Sequence, residues 1–139
     1  MISGGTGMNA EVVDASAIAA LLFGEPDADL VAERAGDASL VSPSLICYEL
    51  ASVCLNKVRR YPGQQASLES ALGLYRRLGV VEAEVPVFEL AELARSAGVT
   101  AYDAAYLWVA RHAGVPLLTL DRELARTAIR LGIPLVVAS

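Results

Sequence analysis

The sequence predicts an α/β fold in which helices form the two outer layers around a central, mostly parallel sheet. Short apolar runs such as Val12-Val13 and 116–120 alternate with longer helical stretches, as in a parallel sheet connected by helices. These runs show little alternation of apolar and polar residues, which is typical of strands buried on both faces. With 139 residues, 55% of them hydrophobic, the chain is long and apolar enough for one such domain.

The first half of the chain is predicted to contain two short strands and four helices. Ser42-Pro43 resembles a helix start, with an N-cap serine and a first-turn proline. Pro62-Gly63 then separates two long helices, which we expect to form a hairpin. In chain order the predicted elements are a strand at Val12-Val13, helices at 15–23 and 26–36, a strand at Val41, and helices at 43–60 and 64–78.

The second half continues the alternation of strands and helices. Residues 80–85 alternate apolar and acidic side chains, as a strand with one exposed face does. Pro86 and Gly98 are placed as a helix start and a helix end. The predicted elements are a strand at 80–85, helices at 86–98 and 101–113, a strand at 116–120, a helix from Asp121 to Leu131, and a strand at 135–137.

Composition also sets expectations for the ends and the environment of the chain. We expect residues 1–8, rich in glycine, to be a flexible N-terminal extension, and 9–139 to be the folded domain. The chain has no secretory signal and no run of about 18 apolar residues, so a cytoplasmic protein without membrane segments is expected. Cys47 and Cys54 lie about 10 Å apart along one predicted helix, too far for a disulfide, and are interpreted as small core residues.

The net charge of −5 argues against nucleic-acid binding through bulk electrostatics. Basic residues nevertheless occur in clusters, and ten of the eleven are arginine, which suits bidentate phosphate contacts. For any single cluster, a solvated helix face is the competing explanation.

Four acids lie in strongly apolar surroundings: Asp14, Glu49, Asp103 and Asp121. Glu49 is the sharpest case, since residues 45–55 are apolar nearly all the way round the predicted helix, which indicates burial. A buried carboxylate requires a cation or a raised pKa, and a metal ion supplies the cation. The competing explanation is that Glu49 reaches the surface or pairs with a nearby arginine.

The other three acids have both a functional and a structural explanation. Asp14 and Asp121 each follow a short strand, and open α/β sheets hold their ligands at this edge. Each could instead be a helix N-cap. Asp103 could complete a capping box with Thr100.

Taken together, the four acids predict an all-oxygen site without histidine or cysteine. Such a site selects hard cations, Mg²⁺ or Mn²⁺. Carboxylate-held Mg²⁺ serves phosphoryl transfer, so phosphodiester hydrolysis is the expected chemistry.

The segments that carry these acids resemble those of the PIN-domain nucleases, particularly VapC-like toxins, from Val12 to Val137. The matching segments are Val12-Val13-Asp14-Ala15-Ser16, Glu49 within a helix, 100–106, and Leu117-Leu118-Thr119-Leu120-Asp121. The resemblance implies that the four acids hold one or two Mg²⁺ or Mn²⁺ ions, supported by Ser16 and Thr119. Glu123 matches a further acid of the family, although a first-turn acid that complements the helix dipole is an alternative.

The resemblance also implies an endoribonuclease that cuts structured RNA such as transfer or ribosomal RNA, forms homodimers and is silenced by a VapB-type antitoxin. Arg122 and Arg126 could contact the RNA or the antitoxin, or form a solvated face. Tyr102, Tyr106 and Trp108 could stack on an unpaired base, with core packing as the alternative. His112 is given no catalytic role.

Three rival functions remain: an RNA-processing nuclease without a toxin role, a non-catalytic PIN-fold binding module, and a receiver-like signalling domain. The receiver-like domain would have adjacent acids after its first strand and a lysine after a late one. Here Ala15 follows Asp14, and the only lysine, Lys57, lies in a predicted helix.

Overall fold

A four-stranded parallel sheet forms the centre of the computed structural model, which describes residues 9–136. The strands are β1 (Ala10–Val13), β2 (Ser39–Pro43), β3 (Val81–Ala83) and β4 (Leu117–Leu118). Their order is β3-β2-β1-β4, and every pairing is parallel. Leu135 extends the sheet beyond β4 through a parallel bridge to Leu117. The predicted fold class is confirmed.

Within residues 9–136, seven α-helices connect and cover the strands. They are α1 (Ala15–Phe23), α2 (Ala28–Ala35), α3 (Ile46–Arg60), α4 (Gln65–Gly73), α5 (Val87–Ala97), α6 (Ala101–Ala113) and α7 (Arg122–Arg130). Helix α1 packs against α2, α3 and α4, whereas α6 packs against α5, β1 and β2. The buried core runs from α1 through the sheet to α6, with Ile18, Val12 and Leu107 fully enclosed.

The predicted helix start at Ser42-Pro43 is wrong. Both residues belong to β2, where Pro43 is paired with Ala83 of β3, and α3 begins only at Ile46. Ser42 is fully buried, and its hydroxyl donates a hydrogen bond to the Val13 carbonyl at 3.0 Å. Strand pairing and burial therefore override the local capping preference of this segment.

The predicted helix over 64–78 is also interrupted. A short 3₁₀ helix, Pro62–Gln64, precedes α4, and a second one, Leu74–Leu78, follows it. The change occurs at Gly73, since glycine is a weak helix former. Helix α4 buries none of its residues fully, so packing does not compensate for this weakness.

Only one of the two cysteines is in the core. Cys54 is buried but Cys47 is exposed, so the core interpretation of Cys47 is wrong. Both are free thiols, as their spacing predicted.

Two expectations fall outside the described part of the chain. The proposed extension at 1–8 and the last residue of the predicted strand at 135–137 are not covered by the structure, and they stay predictions. Between residues 9 and 136, no helix combines the length and apolar character needed to cross a membrane.

Candidate metal centre and active site

Asp14 is the most enclosed of the four acids. It directly follows β1 and caps α1, with only 4% of its surface exposed. Oδ1 accepts hydrogen bonds from the Ser16 hydroxyl at 2.7 Å and the Ala17 N–H at 3.1 Å, and Oδ2 accepts one from the Thr119 hydroxyl at 2.5 Å. Burial raises the pKa of Asp14 to about 6, although these hydrogen bonds oppose the shift.

Asp121 lies at the same edge of the sheet, just after β4. Its backbone N–H donates to the Thr119 hydroxyl at 2.9 Å, so Thr119 connects Asp121 to Asp14. The Asp121 carboxylate caps α7 by accepting hydrogen bonds from the N–H groups of Glu123 and Leu124. Although it caps α7, this carboxylate is exposed to solvent, and its negative charge raises the pKa of Asp14. The structural and functional explanations of these two aspartates are therefore compatible.

Glu49 comes from α3 and is half-buried. The Tyr106 hydroxyl, on α6, donates a short hydrogen bond to the Glu49 carboxylate. Burial raises the pKa of Glu49, the Tyr106 hydrogen bond opposes this shift, and the charge of Asp103 adds to it. The Tyr106 ring is only 2% exposed, and its own pKa is raised by burial and by the charges of Glu49 and Asp14. Tyr106 thus remains a protonated donor beside the acids.

The surroundings of Glu49 differ from the expectation that α3 is buried nearly all the way round. Only Ile46, Leu50 and Cys54 of this helix are fully buried, whereas Tyr48 is 81% exposed. One face of α3 packs on the domain and the opposite face is open to solvent. Glu49 lies between these faces, which explains its half-burial.

Asp103 occupies the first turn of α6. Its backbone N–H donates to the Thr100 hydroxyl at 3.1 Å, which is one half of the predicted capping box. Burial raises the pKa of Asp103, and the charges of Asp121 and Glu123 raise it further. The four predicted acids, together with Glu123, therefore form one electrostatically coupled group, which we call the acid cluster.

The acid cluster has the donor chemistry of a hard-cation site. In the range 9–136, the only ion pair joins Lys57 to Glu25, so no protein cation forms an ion pair with the cluster. Oxygen-only donors of this kind suit Mg²⁺ or Mn²⁺. Among residues 9–136, no three acid, thiol or imidazole groups lie close enough to one another to share one ion.

A groove of about 740 Å³ opens beside the acid cluster, between α6 and α7. Asp103 and Glu123 line it together with Arg126 and Arg130. Arg130 is anchored by a hydrogen bond to the Ala97 carbonyl at 3.0 Å. Arg122 is exposed but does not line the groove. The groove offers guanidinium groups next to the carboxylates, and guanidinium groups suit the binding of a phosphate.

The three aromatic residues of α6 have different surroundings. Trp108 stacks on His112, with ring centroids 4.4 Å apart, and the Tyr106 ring is in the core. Tyr102 is 62% exposed. Sequence reasoning missed the contact of Tyr106 with Glu49, although Tyr106 follows Asp103 by three residues and so shares its helix face.

Comparison with known proteins agrees with this architecture. The PIN domain model matches residues 12–130. The chain is 38% identical over 119 residues to Ribonuclease VapC3 from Pyrobaculum aerophilum, covering 82% of this chain and 91% of that protein. The crystal structure of PAE2754 from Pyrobaculum aerophilum superposes with a TM-score of 0.70 at 27% identity, covering 89% of this chain and 87% of that one. The chain belongs to the PIN-domain family, as a VapC-like nuclease.

Proposed function

We propose that this chain is a Mg²⁺- or Mn²⁺-dependent endoribonuclease that hydrolyses RNA phosphodiester bonds at the acid cluster. The observation that carries the proposal is the burial of Asp14, whose pKa is raised to about 6 beside other acids and which forms no ion pair with a basic side chain. Such crowding of carboxylates is costly unless a cation binds among them. The similarity to Ribonuclease VapC3 supports RNA as the substrate.

In this proposal Asp14, Glu49, Asp103 and Asp121 hold one or two ions, and Glu123 is a further ligand. Held by these carboxylates, such an ion would supply the activation of a water molecule and the stabilisation of the leaving oxygen. The chain supplies the orientation of its carboxylates. Hydroxyl groups of Ser16 and Thr119 hold both oxygens of Asp14, and that of Tyr106 holds Glu49. Such outer contacts fix the direction in which a ligand points.

The arginines of α7 are the proposed contacts for the RNA backbone. Arg126 lines the groove beside Asp103, and exposed Arg122 directly follows Asp121. Local guanidinium groups here compensate for the net charge of −5, which disfavours phosphate binding elsewhere. The same arginines would meet an antitoxin chain that occupies the groove in place of RNA.

We further propose that the protein is the toxin of a VapBC-type pair, a cytoplasmic homodimer that cuts structured RNA and is silenced by a VapB-like antitoxin. The VapC relationship supports this role. An RNA-processing nuclease without toxicity is the alternative. Growth arrest on expression, relieved by a small protein encoded next to this gene, would separate the two.

Cleavage of RNA by the purified chain tests the enzymatic proposal. Wild type should cut transfer or ribosomal RNA with Mg²⁺ or Mn²⁺ and stop with chelator. Asp14→Asn and Asp121→Asn should each lose roughly 100-fold or more in rate, because a metal ligand supplies several kcal/mol in the transition state.

Asp37→Asn is the matched control, since Asp37 is an exposed aspartate in the turn between α2 and β2. It should cleave as wild type does, and circular dichroism should show that all variants remain folded. Unchanged cleavage by both Asp14→Asn and Asp121→Asn would refute the proposed site.

A further inference from the structure

A second, smaller pocket lies on the α3 side of the acid cluster. It has a volume of about 280 Å³ and is lined by Tyr48, Glu49 and Ser52 of α3 and by Tyr102 of α6. We call it the tyrosine pocket. Its volume is just below the range of about 300–1,000 Å³ of small-molecule sites, so it can hold a fragment rather than a large ligand.

Both tyrosine rings are held open to solvent. Tyr48 is 81% exposed and Tyr102 is 62% exposed, although they come from different helices and border the same pocket. The only stacked aromatic pair between residues 9 and 136 is Trp108 with His112, so the two rings are not closed on each other. Rings displayed in this way provide faces on which a flat group can stack.

The tyrosine pocket is continuous with the acid cluster. Glu49 lines the pocket and also accepts the hydrogen bond from Tyr106 within the cluster. Tyr102 immediately precedes Asp103 in the first turn of α6. A group bound in the pocket is therefore a direct neighbour of the groups proposed to hold the metal.

The negative charge of the pocket wall limits which chemical groups the pocket can accept. Glu49 forms part of the wall, and its charge couples to that of Asp103, so a phosphate would be repelled. Phosphates are better placed on the other side of Asp103, where Arg126 and Arg130 line the larger groove. The tyrosine pocket suits a neutral, planar group that is attached to the RNA backbone.

We propose that the tyrosine pocket is a nucleobase subsite, in which Tyr48 and Tyr102 stack on one unpaired base next to the scissile phosphate. This inference rests on the proposed ribonuclease function and adds a substrate requirement to it. Stacking accepts any base, because every base has a π-face. Ser52, which also lines the pocket, has a hydroxyl that can hydrogen-bond a base edge and add preference among bases.

Steady-state cleavage of a short stem-loop RNA, taken from the region that wild type cuts in transfer or ribosomal RNA, tests this subsite. Tyr48→Ala and Tyr102→Ala should each lower kcat/KM by about 5- to 100-fold, mainly through KM, as expected for loss of one stacking contact. Tyr48→Phe and Tyr102→Phe keep the ring and should stay close to wild type. Phe88→Ala removes an aromatic that is 90% exposed but does not line the pocket, and it should have no effect.

Oligonucleotides that carry an abasic nucleotide at each position in turn complete the test. Wild type should lose a similar factor in kcat/KM at one abasic position, and Tyr102→Ala should lose little more at that position. Such non-additivity would show that the base at this position stacks on the ring of Tyr102.

The possible failures are distinguishable. A wild type without metal-dependent cleavage refutes the ribonuclease proposal and this subsite with it. Normal cleavage by both alanine variants refutes the tyrosine pocket alone. The tyrosine pocket as a nucleobase subsite is also refuted if Tyr48→Ala changes the oligomeric state or antitoxin binding and leaves RNA cleavage unchanged. The pocket would then be a protein interface.

Discussion

Asp14→Asn should stabilise the metal-free protein at neutral pH while abolishing its activity. Asp14 is almost completely buried, and burial raises its pKa from 3.8 to about 6. A raised pKa means that the folded state favours the protonated acid. The stability contributed by this group is fully present below pH 3.8 and is lost as the pH rises through about 6.

The size of the effect follows from the shift. About two pH units correspond to about 3 kcal/mol in the free energy of unfolding at pH 7. Asparagine removes this penalty, but its side-chain N–H₂ cannot accept the hydrogen bond that Thr119 or Ser16 donates. Losing one such bond costs about 1 kcal/mol, so a net gain of about 1–2 kcal/mol is expected.

Urea unfolding followed by circular dichroism, in the presence of chelator, measures this gain. Between about pH 4 and pH 7, wild type should lose stability as the pH rises, and Asp14→Asn should lose less. Residual pH dependence is expected from Glu49 and Asp103, whose pKa values are raised in the same direction. Mn²⁺ should then stabilise wild type more than the variant. Asp37→Asn, the same chemical change at an exposed position, should unfold as wild type does.

A specific result would refute this reasoning. If metal-free Asp14→Asn is less stable than wild type at pH 7 and shows the same pH dependence, ionised Asp14 is not a source of strain in the folded protein. Its hydrogen bonds would then outweigh its burial.

Two further substitutions test the hydroxyl groups that hold the acids. Thr119→Val removes the donor to Asp14 and should weaken Mn²⁺ binding by about 10- to 100-fold in a calorimetric titration. In the control, Thr127→Val, the lost hydroxyl bonds only a helix carbonyl, so Mn²⁺ binding should be unchanged. Tyr106→Phe leaves half-buried Glu49 without its hydrogen-bond donor, so the free energy of unfolding measured in urea should fall by about 1–2 kcal/mol. A variant as stable as wild type would show that this contact contributes nothing to stability.

The alternation of strands and helices was predictable because it depends on local patterns. Continuous apolar runs marked β1 and β4, and a glycine marked the end of α1, α5 and α6. The same local reasoning failed at Ser42-Pro43. A capping preference is a weak local effect, and pairing with β3 together with burial outweighs it.

The sequence by itself also indicated which acids to examine, since Asp14, Glu49, Asp103 and Asp121 lie among apolar residues. What it could not decide was how they meet. Contacts such as Thr119 with Asp14 join residues 105 positions apart, and no periodicity encodes them.

Only the tertiary structure decided which face of each helix is covered. The composition of α3 indicated burial all round, yet its neighbours cover one side and leave Tyr48 open beside Tyr102. Burial, and with it the raised pKa of Asp14, depends on what packs against a residue rather than on the residue itself. The sequence therefore determined the order of elements and indicated which acids belong to the acid cluster. Packing decided the charge balance of the acid cluster and the shape of the surface around it.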